Sequence, residues 1–130
     1  MKCLDTDLLV AILRGATEAK AKMEELDSEG RNATTAVNTF ELFYGANHSR
    51  NISKNLDEVK RLLERLDVLP LTLESSQEAG RIAAILASEG KSLDYRDALI
   101  AGIAIGAGTA LVTRNGRHFS RIDRLEVETW

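Results

Sequence analysis

Apolar positions along this chain switch between short unbroken runs and helical spacing. The run KCL ends at Asp5, and in the following DLLVAILRG the residues Leu8, Leu9, Ile12 and Leu13 share one helical face before Gly15 stops it. A strand feeding a helix is predicted. Thr17 to Ser28 reads as a charged, exposed helix, ATTAV as a short buried strand after the break at Gly30, and NTFELFYGA as a helix capped by Asn38 or Thr39. From Ile52 to Leu66 the positions Leu56, Val59, Leu62, Leu63 and Leu66 keep helical spacing, and DVLPLT makes a third strand whose Pro70 favours an edge. Glu74 to Glu89 forms another helix through Ala79, Ile82, Ala83 and Leu86, ended by Gly90. A helix from Asp94 to Ile105, a strand ALVT and a last strand LEVET complete the order.

Strands separated by helices imply right-handed crossovers and a mostly parallel sheet covered on both faces, an α/β fold whose site lies beyond the carboxyl ends of the strands. With 130 residues, no internal repeat and no linker, a single domain spanning 1–130 is expected. Ala98 to Thr113 is wholly apolar, glycine or threonine, but it falls short of the roughly 20 residues that cross a bilayer, and Gly106 and Gly108 divide it into helix and strand. The opening MKCLDTDLLV is charged too early for a signal peptide, so no membrane association and a cytoplasmic location are expected. A formal net charge of -3 argues against gripping long nucleic acid mainly through a basic surface. One local patch stands out: Arg114, Arg117, Arg121 and Arg124 crowd the segment TRNGRHFSRIDR, as a phosphate contact or as a solvated face. Cys3 is the only cysteine, which excludes an intrachain disulfide and a cysteine-based zinc site.

The candidate chemistry is carboxylate chemistry. Asp5 and Asp7 follow the first strand; Asp7 is expected to cap the next helix, leaving Asp5 as the functional candidate. Glu41 stands between Phe40 and Leu42 in a helix that is apolar nearly all round, where a surface glutamate would have polar neighbours. Asp94 and Asp97 share one face at a helix start, as cap and first-turn anion or as ligands, and the helix dipole offsets part of their repulsion. Thr113 and Asn115 close the last crossover strand at the same sheet edge. Oxygen donors converging from several strand ends suit one or two Mg²⁺ or Mn²⁺ ions. His48 and His118 lie far apart, in no zinc spacing, and read as surface or structural residues. No nucleophile elbow supports Ser-His-Asp chemistry, and the glycines of GIAIGAG are in the wrong context for a dinucleotide fingerprint.

In LDTDLL, AVNTFELFYGA, DALIAGIAIGAGTALVTRNGRHF and LEVETW, taken in this order and spacing, the chain resembles PIN-domain ribonucleases of the VapC toxin type. The blocks cover somewhat under half the chain, at both ends; residues 47–91 add compatible helices but no motif. The resemblance implies a three-layer α/β/α sandwich and metal-dependent endonucleolytic cleavage of RNA. It puts the family's catalytic acids on Asp5, Glu41 and Asp97, with Asp94 auxiliary to the metal and Thr113, Arg114 and Arg117 toward the substrate. Asn115 stands where many members carry Asp, which weakens a second metal position. A homodimer and a cognate antitoxin that blocks the site are also implied. Three alternatives compete. LDTD matches the Asp-x-Asp start of haloacid-dehalogenase-type phosphatases but lacks their following residues and a downstream lysine. A receiver-like domain would need a phospho-acceptor after the third strand, and LPLTLESS has none. A PIN fold that only binds partners would account for Asn115.

Overall fold

In the computed structural model, which describes residues 1–130, five strands form one sheet in the order β3-β2-β1-β4-β5, every pair parallel. The elements are β1 (Cys3–Leu4), α1 (Thr6–Leu13), α2 (Thr17–Ser28), β2 (Asn32–Thr35), α3 (Ala36–Asn47), α4 (Ile52–Leu63), β3 (Leu66–Leu69), α5 (Leu73–Ser88), α6 (Tyr95–Gly106), β4 (Leu111–Val112), α7 (Gly116–Phe119) and β5 (Val127–Glu128). Successive strand residues point to opposite faces, and that alternation separates two cores. Leu4 and Val112 pack with Leu8, Leu9, Met23, Leu42 and Val59 on the α1–α4 side. Cys3 and Leu111 pack with Ile82, Leu86, Ile100, Ala101 and Phe119 on the α5–α7 side. The result is the α/β/α sandwich expected, with β3 and its neighbour Pro70 at an edge. No helix is long and apolar enough to cross a membrane.

Several boundaries differ from the sequence pattern, each for a local reason. The strand expected over ATTAV ends at Thr35, because the Thr35 hydroxyl accepts from the backbone N–H of Val37 and Asn38 and starts α3 there. Asn38, expected as a cap, is instead the third helical residue, and its Oδ1 accepts back from Thr35 N. Thr39 lies inside the helix. Helix α4 stops at Leu63 and yields Leu66 to β3, where it is buried. Thr72, not Glu74, opens α5, through a second reciprocal cap with Ser75. Helix α2 is not simply an exposed helix: Ala19, Met23 and Leu26, at i, i+4 and i+7, bury one stripe. The short α7 had no periodicity to announce it.

Gly102 decides how closely α5 and α6 approach. A Cβ built there would stand 2.5 Å from Ser75 O and 2.9 Å from Ala79 N, both backbone atoms. Gly102→Ala is therefore expected to push the helices apart and cost about 1–3 kcal/mol, a loss that a urea unfolding midpoint would register. An unchanged midpoint would mean that the helix pair gives way freely.

Candidate active site

The carboxyl edge of the sheet is built around Asp5, the residue after β1. Its extended backbone (φ -75, ψ 160) makes it the N-cap of α1, and Oδ1 accepts from Thr6 N at 2.9 Å. The capping role expected of Asp7 thus belongs to Asp5, because β1 ends at Leu4 and the first helical residue is Thr6. Asp5 Oδ1 also accepts from Asn38 Nδ2 at 3.0 Å, and Oδ2 from the Thr113 hydroxyl at 2.7 Å. Burial raises this carboxyl to about 6; the nearby Asp7 charge also raises it, while Thr113, Thr6 and Asn38 pull it down. No cation pairs with it.

Glu41 enters from α3. Its Oε1 accepts from the Thr6 hydroxyl at 2.7 Å, and that hydroxyl in turn accepts from Asn38 Nδ2 at 2.8 Å. Glu41 Oε2 meets the guanidinium of Arg96 at 3.5 Å, on the first turn of α6. Asp97, the next residue, is raised by burial and by the charges of Asp94 and Glu41, and lowered by His118, whose Nε2 lies 3.4 Å from its Oδ2. His118, expected to be a surface or structural residue, therefore faces an acid of the site. It sits on α7, which Asn115 begins: Asn115 O accepts from His118 N, and Asn115 N donates to the Thr113 hydroxyl at 3.0 Å.

These contacts make a circuit that runs from Arg96 to Glu41, Thr6, Asn38, Asp5, Thr113, Asn115, His118 and Asp97, and its two ends are joined only as consecutive residues of α6. Asp5, Glu41, Asp97, Asn115 and Thr113, named from four separate stretches of sequence, all belong to it. Asp94 stands outside the circuit as the N-cap of α6, held below the usual carboxylate range by the Arg96 side chain and then by its N–H. Of the four arginines in the basic patch, Arg114 stacks its guanidinium 3.7 Å over Trp130 and pairs with Glu18 at 2.8 Å. Arg121 binds the carbonyls of His118 and Lys91, and Arg124 pairs with Glu78. Arg117 is exposed, and its guanidinium is committed to none of these partners.

Sequence reasoning missed Thr6, Asn38, Arg96 and His118 as neighbours of the acids, and it misjudged Asp7. Asp7 accepts from the Thr113 hydroxyl, from Arg114 N and from Trp130 Nε1 at 3.1 Å, so it ties α1 to the loop after β4 and to the end of the chain. Only the polar spacing of TxxN at 35–38 signalled any of this, as a capping box.

The donor set fits a hard divalent cation. Every candidate ligand is an oxygen, and a buried carboxylate with a raised pKa and no counter-charge is what such an ion relieves. No three acidic, histidine or cysteine side chains are already gathered at ligating separation. The acids instead rest on their own donors, a layout compatible with Mg²⁺, which keeps several waters and takes only a few carboxylates.

A PIN domain family model matches residues 2–125. The tRNA(fMet)-specific endonuclease VapC of Shigella flexneri is 31% identical over 127 residues, covering 98% of this chain and 96% of that protein. The protein of the same name from Salmonella typhimurium is 32% identical over the same shares. Among solved structures, VapBC2 from Rickettsia felis, bound to a DNA fragment from its promoter, is similar with a TM-score of 0.92 at 26% identity, covering 99% of this chain and 98% of that one.

Proposed function

Because the chain belongs to the PIN-domain family, in its VapC branch, we propose that it is a toxin endoribonuclease that cleaves RNA with water as the nucleophile and needs Mg²⁺ or Mn²⁺. The observation that supports this reading is the run of contacts that links Asp5, Glu41 and Asp97 at the carboxyl edge of the sheet. Membership of this family sets aside the phosphatase and receiver alternatives.

Asp5 and Asp97 would hold the cation, Asn115 would add a neutral oxygen, and Asp94 would act from outside as the cap of α6. When bound, the ion supplies Lewis-acid polarisation of the phosphodiester and lowers the pKa of water. Three hydrogen bonds fix the Asp5 carboxylate, so it presents its oxygens without reorganising. Glu41, steadied by Thr6, accepts the proton of the attacking water. The water oxygen bonds to phosphorus as the bond to the 3′-oxygen breaks, in line. Thr113 orients Asp5, while Arg117 and the backbone around Arg114 border the path of the strand. The same reading gives the protein a cognate antitoxin that blocks the site, a homodimeric state and a cytoplasmic location.

Cleavage products test it. Water attack leaves 5′-phosphate and 3′-hydroxyl ends, because the 2′-hydroxyl is not the nucleophile. Purified protein incubated with total RNA and Mn²⁺ should generate such ends, and none with chelator; 2′,3′-cyclic phosphates would refute the mechanism. No new ends with any divalent ion would identify the binding-only PIN fold instead.

Asn115 limits the affinity in this scheme. Its side chain makes no capping bond and is exposed, so Asn115→Asp can turn a charged oxygen toward the ion. Mn²⁺ should then bind on the order of 10-fold more tightly, as one added charge near a divalent ion implies. Calorimetry showing the same affinity and stoichiometry as wild type would put Asn115 outside the coordination sphere.

A further inference from the structure

Arg96 is the only lysine or arginine in the circuit around the site, and it supplies positive charge beside the acids: against Glu41 at 3.5 Å and Asp94 at 3.2 Å, one residue before Asp97 in the chain. Two arginines of the basic patch are held differently. Arg114 is pinned by the Trp130 ring, and Arg121 by two backbone carbonyls. The guanidinium of Arg96 touches only carboxylates, and its side chain is 56% exposed. Contacts of this kind hold a long side chain weakly. A dication held by Asp5 and Asp97 beside Glu41 would carry the same sign of charge as the guanidinium, and it would offset the Glu41 charge that Arg96 now neutralises. Displaced outward from the first turn of α6, the side chain stays tethered at the mouth of the site, where the strand being cut brings its phosphates. A planar guanidinium suits that partner, since it can bind phosphate with two parallel hydrogen bonds.

We propose that Arg96 is a tethered cation with two positions: it neutralises Glu41 and Asp94 while the divalent ion is absent, and it pairs with a phosphate of the bound single-stranded RNA once the ion is held beside Glu41. It is a substrate-positioning residue. The second position rests on the ribonuclease reading above, whereas the first concerns the ion alone.

The two positions predict effects of opposite direction from one substitution. Arg96→Gln, titrated with Mn²⁺ by calorimetry without RNA, should bind the ion about 3- to 10-fold more tightly than wild type, because a competing positive charge has gone. In cleavage of a single-stranded RNA the same variant should show KM raised about 3- to 10-fold, with the loss carried by KM rather than kcat. Its plot of log kcat/KM against log salt should be shallower by about 0.7, the value of one phosphate contact on a single strand. Arg96→Lys should return Mn²⁺ affinity and salt slope toward wild type while recovering KM only in part. Mn²⁺ affinity unchanged or weakened in Arg96→Gln overturns the first position, and a surface ion pair that merely steadies Glu41 gives that weakening together with a lower kcat. An unchanged KM and salt slope overturn the second position. Wild type that binds Mn²⁺ but cuts no RNA overturns the ribonuclease reading and the second position with it, and the Mn²⁺ titration still decides the first.

Discussion

Asp5→Asn is expected to reduce RNA cleavage on the order of 10³-fold, the several kcal/mol a Lewis acid supplies, and yet to raise the melting temperature of the ion-free protein at pH 7 by about 5–10 °C. The carboxyl of Asp5 is raised from 3.8 to about 6, chiefly by burial. Folding therefore tightens proton binding at this site. The contribution of protonated Asp5 to stability is complete below about pH 4 and disappears as pH rises through about 6. At neutral pH the ionised group costs roughly 3 kcal/mol, taking 1.36 kcal/mol per pH unit. An amide escapes that cost while keeping the geometry. Its oxygen can accept from Thr6 and Asn38, and its NH₂ can donate to the Thr113 hydroxyl, which still donates to Asp7. The loss of the charged acceptor for Thr113 offsets part of the gain, hence the lower end of the range. Calorimetric scans at pH 4 and pH 7.5 should show the two proteins melting together at the lower pH and apart at the higher. A variant that melts lower at pH 7.5 would mean that the three donors outweigh burial.

Mn²⁺ at 100-fold excess over Kd should stabilise wild type by about 2.7 kcal/mol, near 8–10 °C for a chain of this length, and Asp97→Asn by far less. Asp97 is half-buried and raised, first by desolvation, then by Asp94 and Glu41. Substituting the amide removes that charge, so the ion-free variant should melt slightly above wild type; the lost contact with His118 at 3.4 Å reduces the gain. Cleavage should disappear. If Asp97 were only a first-turn anion favoured by the helix dipole, the substitution would be neutral or mildly destabilising, and the Mn²⁺ response would match wild type. Asp94→Asn belongs in the same series. It keeps an oxygen for the cap on Arg96 N and lies outside the circuit, so most activity should survive; its loss would show that both acids of DYRDALIAG hold the ion.

The α/β class, the order of the strands and of every helix but α7, and the candidacy of the acids Asp5 and Glu41 were legible in the sequence, because each follows from rules that act within a few residues. Leu8, Leu9, Ile12 and Leu13 keep helical spacing whatever surrounds them. An acid directly after a strand in a parallel α/β chain is carried to the carboxyl edge by topology alone. An acid flanked by Phe40 and Leu42 in an apolar helix is out of place unless it is used.

Tertiary structure alone decided the rest. Asp5 and Asp7 are two residues apart and chemically identical; which one caps α1 depended on where β1 ends, and that is set by the pairing of Cys3 and Leu4 with Leu111 and Val112. Asp7 then found Trp130 at the far end of the sequence. Arg96 beside Glu41, and His118 beside Asp97, are contacts between helices on different crossovers. No periodicity encodes them. Local propensity is read over one helical turn, whereas the neighbours of a site residue are chosen by how whole elements pack, and in this chain that packing placed an arginine and a histidine among acids whose sequence positions announced only themselves.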